Sequence, residues 1–94
     1  MIELPANYSA LTWDQRRMVR ERYTRIQQGF CHYCHSPLDE APPAHIREKS
    51  IQKWLFPDGF FTHPVHLHHS HVTGLTIGAV HAQCNAVLWQ YHGE

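Results

Sequence analysis

Three cysteines and ten histidines carry most of the chemistry available to this 94-residue chain. Cys31-x-x-Cys34 sets two thiols a short turn apart, a spacing that lets both reach one ion at about 2.3 Å. His81-x-x-Cys84 repeats that spacing and completes a Cys3His set that uses every cysteine. A tetrahedral zinc site is the expected chemistry, and four protein ligands would leave the ion no open position, which makes it scaffold rather than catalyst. His32 and His35 are the alternative fourth ligands. A redox Cys-x-x-Cys would leave Cys84 without a role, and three thiols cannot all pair within one chain. The second concentration is His63, His66, His68, His69 and His71, five imidazoles interrupted by apolar residues. Neutral imidazole ligates borderline metals and titrates near neutrality, so the run predicts a metal-assisted proton-transfer site or else a solvated, histidine-rich edge strand.

The elements that hold these residues follow from the flanking pattern. Residues 1–11 show no periodicity and read as an arm. Thr12 followed by Gln15 fits a capping box, and Val19, Tyr23 and Ile26 recur at helical spacing until Gly29, which predicts a basic helix within 12–29. Residues 30–36 form a tight knuckle, and 37–43 an acidic, proline-bearing loop. Ile46, Ile51, Trp54 and Leu55 suggest a second amphipathic helix closed by Pro57-Asp58-Gly59. Alternating apolar residues around Val65 and Leu67, a turn at Thr73-Gly74 and a β-rich run from Leu75 to Val80 predict a hairpin, which leads into a terminal helix carrying Ala82, Ala86, Leu88 and Trp89. Trp54, Trp89 and Tyr91, at helical spacings, are expected in the core, and His63 and His66 at the surface.

The length supports one domain over 1–94, with a thin core that a metal would reinforce. With 43% apolar and 17% charged residues the chain is globular, and no apolar run approaches a membrane span. The start, Met1-Ile2-Glu3-Leu4-Pro5, lacks a basic segment followed by an apolar one, so a reducing cytoplasm is expected. Eight basic residues balance eight acidic ones, which excludes binding nucleic acid through bulk charge. A local patch remains: Arg16, Arg17 and Arg20 share one flank of the first helix, either as a phosphate-contacting surface or as a solvated face with Asp14 and Glu21 as partners.

The ordered run His66-Leu67-His68-His69-Ser70-His71-Val72-Thr73-Gly74, followed by Gly78 and His81-Ala82-Gln83-Cys84-Asn85, resembles the ββα-metal core of HNH endonucleases. It is most similar to the recombination endonuclease VII branch, over residues 31–92. The resemblance implies an α+β fold, a small zinc-stapled ββα-metal domain behind an N-terminal helix. It implies a DNA endonuclease or nickase in which His69 is the general base and His71 contacts the phosphate or assists proton transfer. His68 and Asn85 would hold one divalent cation, while Cys31, Cys34, His81 and Cys84 hold zinc and Arg16, Arg17 and Arg20 extend the contact with DNA. His68 stands where the family has aspartate, so Mn²⁺, Co²⁺ or Ni²⁺ is expected to support activity at least as well as Mg²⁺. Ser70 also replaces an aspartate, and His81 a zinc cysteine. A monomer or homodimer in a bacterial or phage-infected cell is the setting implied, and a noncatalytic zinc module binding nucleic acid or protein is the alternative. Consecutive strand residues point to opposite faces, so His68 and His69 can serve one phosphate only if the strand bends or bulges near Ser70.

Overall fold

The computed structural model describes residues 2–93; Met1, the first residue of the expected arm, and Glu94 lie outside the described residues. Helix α1 (Trp13–Ile26) begins on the expected capping box: Thr12 Oγ1 accepts from the Gln15 N–H at 3.2 Å, and Gln15 Oε1 accepts from the Thr12 N–H at 2.9 Å. Val19 and Tyr23 are its buried residues. Its end is tied to the hairpin by Gln27. The Gln27 amide accepts from the Ala79 N–H at 2.8 Å and donates to the Ala79 carbonyl at 2.9 Å, as an adjacent strand would.

Strands β1 (Val65–His69) and β2 (Thr76–His81) pair antiparallel, and helix α3 (Ala82–His92) leaves β2 with no intervening loop. This is a ββα order in an α+β domain. The register runs from Val65 opposite His81 to His68 opposite Gly78, then skips Ile77, so that His69 meets Thr76. The ladder is therefore irregular between His68 and His69, beside Ser70 where a bend or bulge was expected, and the extra residue, Ile77, belongs to β2. Ser70 closes the connection: its Oγ accepts from the N–H groups of Val72 and Thr73, both at 3.1 Å, which is the turn-forming work an aspartate would also do.

The arm is docked on the hairpin. Ala6 exchanges hydrogen bonds with Thr76, Tyr8 N–H donates to the Gly74 carbonyl, and Asn7 bridges Leu75. Tyr23 reaches the same Thr76 hydroxyl at 2.9 Å, so one buried threonine joins arm, helix and strand. The core lies between α1, the hairpin and α3, with Val19, Ile46, Val80 and Val87 fully buried, each contributing roughly 1.5–3 kcal/mol by leaving water.

The second amphipathic helix does not form as expected. Helix α2 spans only Ala44–Arg47, and Lys53–Leu55 is a separate 3-10 turn. Backbone groups between them bond to α3 instead: Gln90 Oε1 accepts from the Gln52 N–H, while Gln90 and Tyr91 donate to the Ser50 carbonyl. Tertiary partners thus replace the i to i−4 ladder, and Ile46 alone of the expected apolar stripe is buried. Nor are Trp54, Trp89 and Tyr91 core residues; they are 78%, 42% and 46% exposed. No helix of the described residues is long and apolar enough to cross a membrane.

Candidate functional site

Cys31, Cys34, His81 and Cys84 converge, with one donor atom from each within 4.8 Å of the others. The knuckle that delivers the first pair is folded by its own backbone: Cys31 N–H donates to the Ser36 carbonyl and His35 N–H to the Cys31 carbonyl. It rests on β2, where Gly78 leaves it room. A Cβ at Gly78 would stand 2.8 Å from Gln27 Oε1 and 3.0 Å from His32 Cβ. The second pair comes from the last residue of β2 and the first turn of α3.

The donor set fits a zinc ion. His81 Nδ1 lies 3.4 Å from Cys34 Sγ and 3.6 Å from Cys84 Sγ. A tetrahedral ion with Zn–S near 2.3 Å and Zn–N near 2.05 Å sets sulfur and nitrogen about 3.5 Å apart. On its other side the His81 ring meets the carbonyls of Pro37 and Glu40, each 2.9 Å from Nε2. A carbonyl only accepts, so Nε2 carries the hydrogen and Nδ1 presents its lone pair to the sulfurs, the tautomer a metal requires. The acidic loop therefore orients the ligand. Electrostatics agree: the hydrogen bond from Cys84, with backbone N–H groups of Cys34, His81 and Tyr33 assisting against burial, pushes the Cys31 thiol down to about 4, while the same shared contact pushes Cys84 up. A cation placed among the donors would satisfy the crowded sulfurs together. His32 and His35 are exposed and stand outside the group.

A cleft of about 760 Å³ opens beside this centre. Every residue expected to do chemistry lines it: His68, His69, His71 and Asn85, with Arg16, Arg17 and Arg20 from α1. His68 is 4% exposed, His69 half-buried and His71 exposed, with the rings of His69 and His71 4.9 Å apart. Among the described residues, no second group of three or more His, Cys, Asp or Glu donors has assembled around a common point.

Two residues that the sequence reading gave no role in the chemistry organise the cleft. Tyr8, in the arm, lies flat on His69, with centroids 3.8 Å apart and planes 9° from parallel. The Arg16 guanidinium sits 4.1 Å from the Tyr8 centroid and donates to the Tyr8 carbonyl from Nε and Nη2. Arg16 is thus engaged in holding the arm, whereas Arg17 makes only an exposed 3.6 Å pair with Asp14. Burial, followed by the charges of His71, His68 and Arg16, pushes His69 down to about 4, so the ring is neutral at pH 7. The sequence-based expectation of a base poised near neutrality is corrected accordingly.

The other organising residue is His66, whose Nδ1 lies 3.2 Å from Asn85 Nδ2. An amide nitrogen donates, so His66 accepts and Asn85 Oδ1 is turned away from it. His66 is half-buried, against the expectation of a surface residue, and burial lowers its pKa with the carbonyls of Phe60 and His63 opposing. Its alternation with His68 was the signal available, because residues i and i+2 share a strand face. No signal in the sequence marked Tyr8. His63 is exposed, as expected, and stands at the cleft wall.

No protein-family model, curated protein or solved structure matches the chain.

Proposed function

We propose that the protein is a metal-dependent endonuclease of the HNH type, hydrolysing phosphodiester bonds in DNA with His69 as general base. The observation that carries this reading is the position of Asn85. It follows the zinc ligand Cys84 on the first turn of α3 and shares one cleft with His68, His69, His71 and the three arginines. Hydrolysis needs a water stripped of its proton, an electrophilic phosphorus and a proton for the departing oxygen. His69, neutral at pH 7, takes the proton from water, and Tyr8 fixes the plane of its ring. The neighbouring His71 serves the phosphate and the departing oxygen. His68 and the free Oδ1 of Asn85 would hold a divalent ion, which would draw charge from the phosphate oxygens. A set with imidazole in place of carboxylate favours Mn²⁺, Co²⁺ or Ni²⁺ over Mg²⁺. Arg17 and Arg20 line the same cleft and contact the flanking backbone.

A second reading, a noncatalytic zinc module that binds nucleic acid or protein, is favoured by one observation: among the described residues no second group of three or more His, Cys, Asp or Glu donors converges beside the Cys3His cluster. Supercoiled plasmid separates the two. The endonuclease nicks it in the presence of Mn²⁺ and not in EDTA, and His69→Ala abolishes the nicking while keeping the fold. A monomer releases open circles, since one site cuts one strand. Equal nicking by parent and His69→Ala would remove the proposal.

A further inference from the structure

Trp13 is 85% exposed, on the first turn of α1, and it stands at the cleft. So large an apolar side chain left in water at the mouth of a site calls for a ligand with a flat face to cover it. Arg17 and Arg20 follow at i+4 and i+7, which sets indole and guanidinium groups along one face of the helix. The same cleft is lined by Trp89, 42% exposed and held edge-on by Phe56 at 5.6 Å. The acidic side chains in the lining are Asp14 and Asp58, and Asp14 is already paired with Arg17. Against these two carboxylates the lining sets three arginines, five imidazoles and five aromatic rings, with apolar residues and Asn85 between them, a combination that suits an anion with stacking faces.

Duplex DNA offers no such face along its length, because its bases are stacked on one another and only phosphates and groove edges meet a protein. An unpaired strand offers both halves of the complement, phosphates for arginine and free base faces for tryptophan. We infer that the cleft takes an unpaired nucleic-acid strand, one base lying on Trp13 while Arg17 and Arg20 hold the adjoining phosphates. This deepens the proposed function by naming its substrate class, and it rests on the nucleic-acid part of that reading alone. The site of cutting is then a single-stranded stretch, a flap or a loop, with the strand led from Trp13 toward His69.

The test is binding without turnover. Fluorescence anisotropy of a labelled oligothymidine and of the same-length oligothymidine–oligoadenine duplex is measured with the zinc-loaded chain and no added divalent cation. The single strand binds at least about ten-fold more tightly than the duplex. Trp13→Ala weakens single-strand binding by about ten-fold with little effect on the duplex, and Trp13→Phe restores most of the loss. Arg17→Ala with Arg20→Ala makes the salt slope shallower by about 1.4, the value for two phosphates on a single strand. Because Trp13 is exposed, circular dichroism of the variants should match the parent. Equal affinity for duplex, or no change on Trp13→Ala, overturns the inference. Tight strand binding without cleavage on addition of Mn²⁺ supports it and overturns the hydrolase reading instead.

Discussion

The Cys3His cluster and the histidine cleft both rely on imidazole, yet they are finished to different degrees. At the Cys3His end, which could hold zinc, the knuckle is held by its own backbone bonds, His81 by the Pro37 and Glu40 carbonyls, and the four donors lie within 4.8 Å of one another. At the cleft the contacts include Tyr8 stacked on His69 and Asn85 against His66, and one side stays open to solvent. A scaffold ion needs closure, since an open position would admit water and weaken the clamp between residues 47 apart. A catalytic cleft needs the reverse, a surface left unsatisfied until substrate arrives. That difference fits the proposed division, structure at one end and reaction at the other, and the following variants sharpen or break it.

Removing the zinc end has the largest effect. Cys84→Ala, or a strong chelator, is expected to abolish cooperative folding at 25 °C, because structural zinc in small domains is worth on the order of 10 kcal/mol. Circular dichroism melts check this, and an unchanged melt after chelation would merge the two ends into one class. His69→Ala is expected to leave the melt near that of the parent while lowering the nicking rate by about 10²–10⁴-fold. Gly78→Ala strikes between the ends. Its Cβ would meet Gln27 Oε1 at 2.8 Å and His32 at 3.0 Å, displacing the knuckle from β2 at a cost of about 1–3 kcal/mol in denaturant unfolding.

The smallest effect is in pH. His69 sits at about 4 in the folded chain against an ordinary 6.5, so the unfolded chain binds more protons between those values. Stability from this group is therefore full above about pH 6.5 and declines as the pH falls toward 4. The His69 ring resonance in NMR should titrate with a midpoint near 4, and a midpoint near 6.5 would show the cleft to be wetter than the Tyr8 stack implies.

The zinc ligands, the capping box and the hairpin were legible in the sequence because each depends on spacing within a few residues. Thr12 and Gln15 cap a helix wherever they fall three apart, and Cys-x-x-Cys reaches one ion by local geometry alone. The segment 46–55 was misread because its backbone bonds go to Gln90 and Tyr91, partners about 40 residues away that no local pattern reveals. Tyr8 was invisible for the same reason, since its stack on His69 exists only after the arm docks through Thr76. An irregularity near Ser70 is present in the ladder, but its extra residue, Ile77, lies on β2, the strand opposite the one expected to bend.

X-ray absorption at the zinc edge of the purified chain tests the division most directly. Three sulfurs near 2.3 Å and one nitrogen near 2.0–2.1 Å, with no oxygen in the coordination shell, is the predicted result: an ion wrapped entirely by Cys31, Cys34, His81 and Cys84. An oxygen in the fourth position, with His81 outside the shell, would contradict it and move the reactive metal to the Cys3His end.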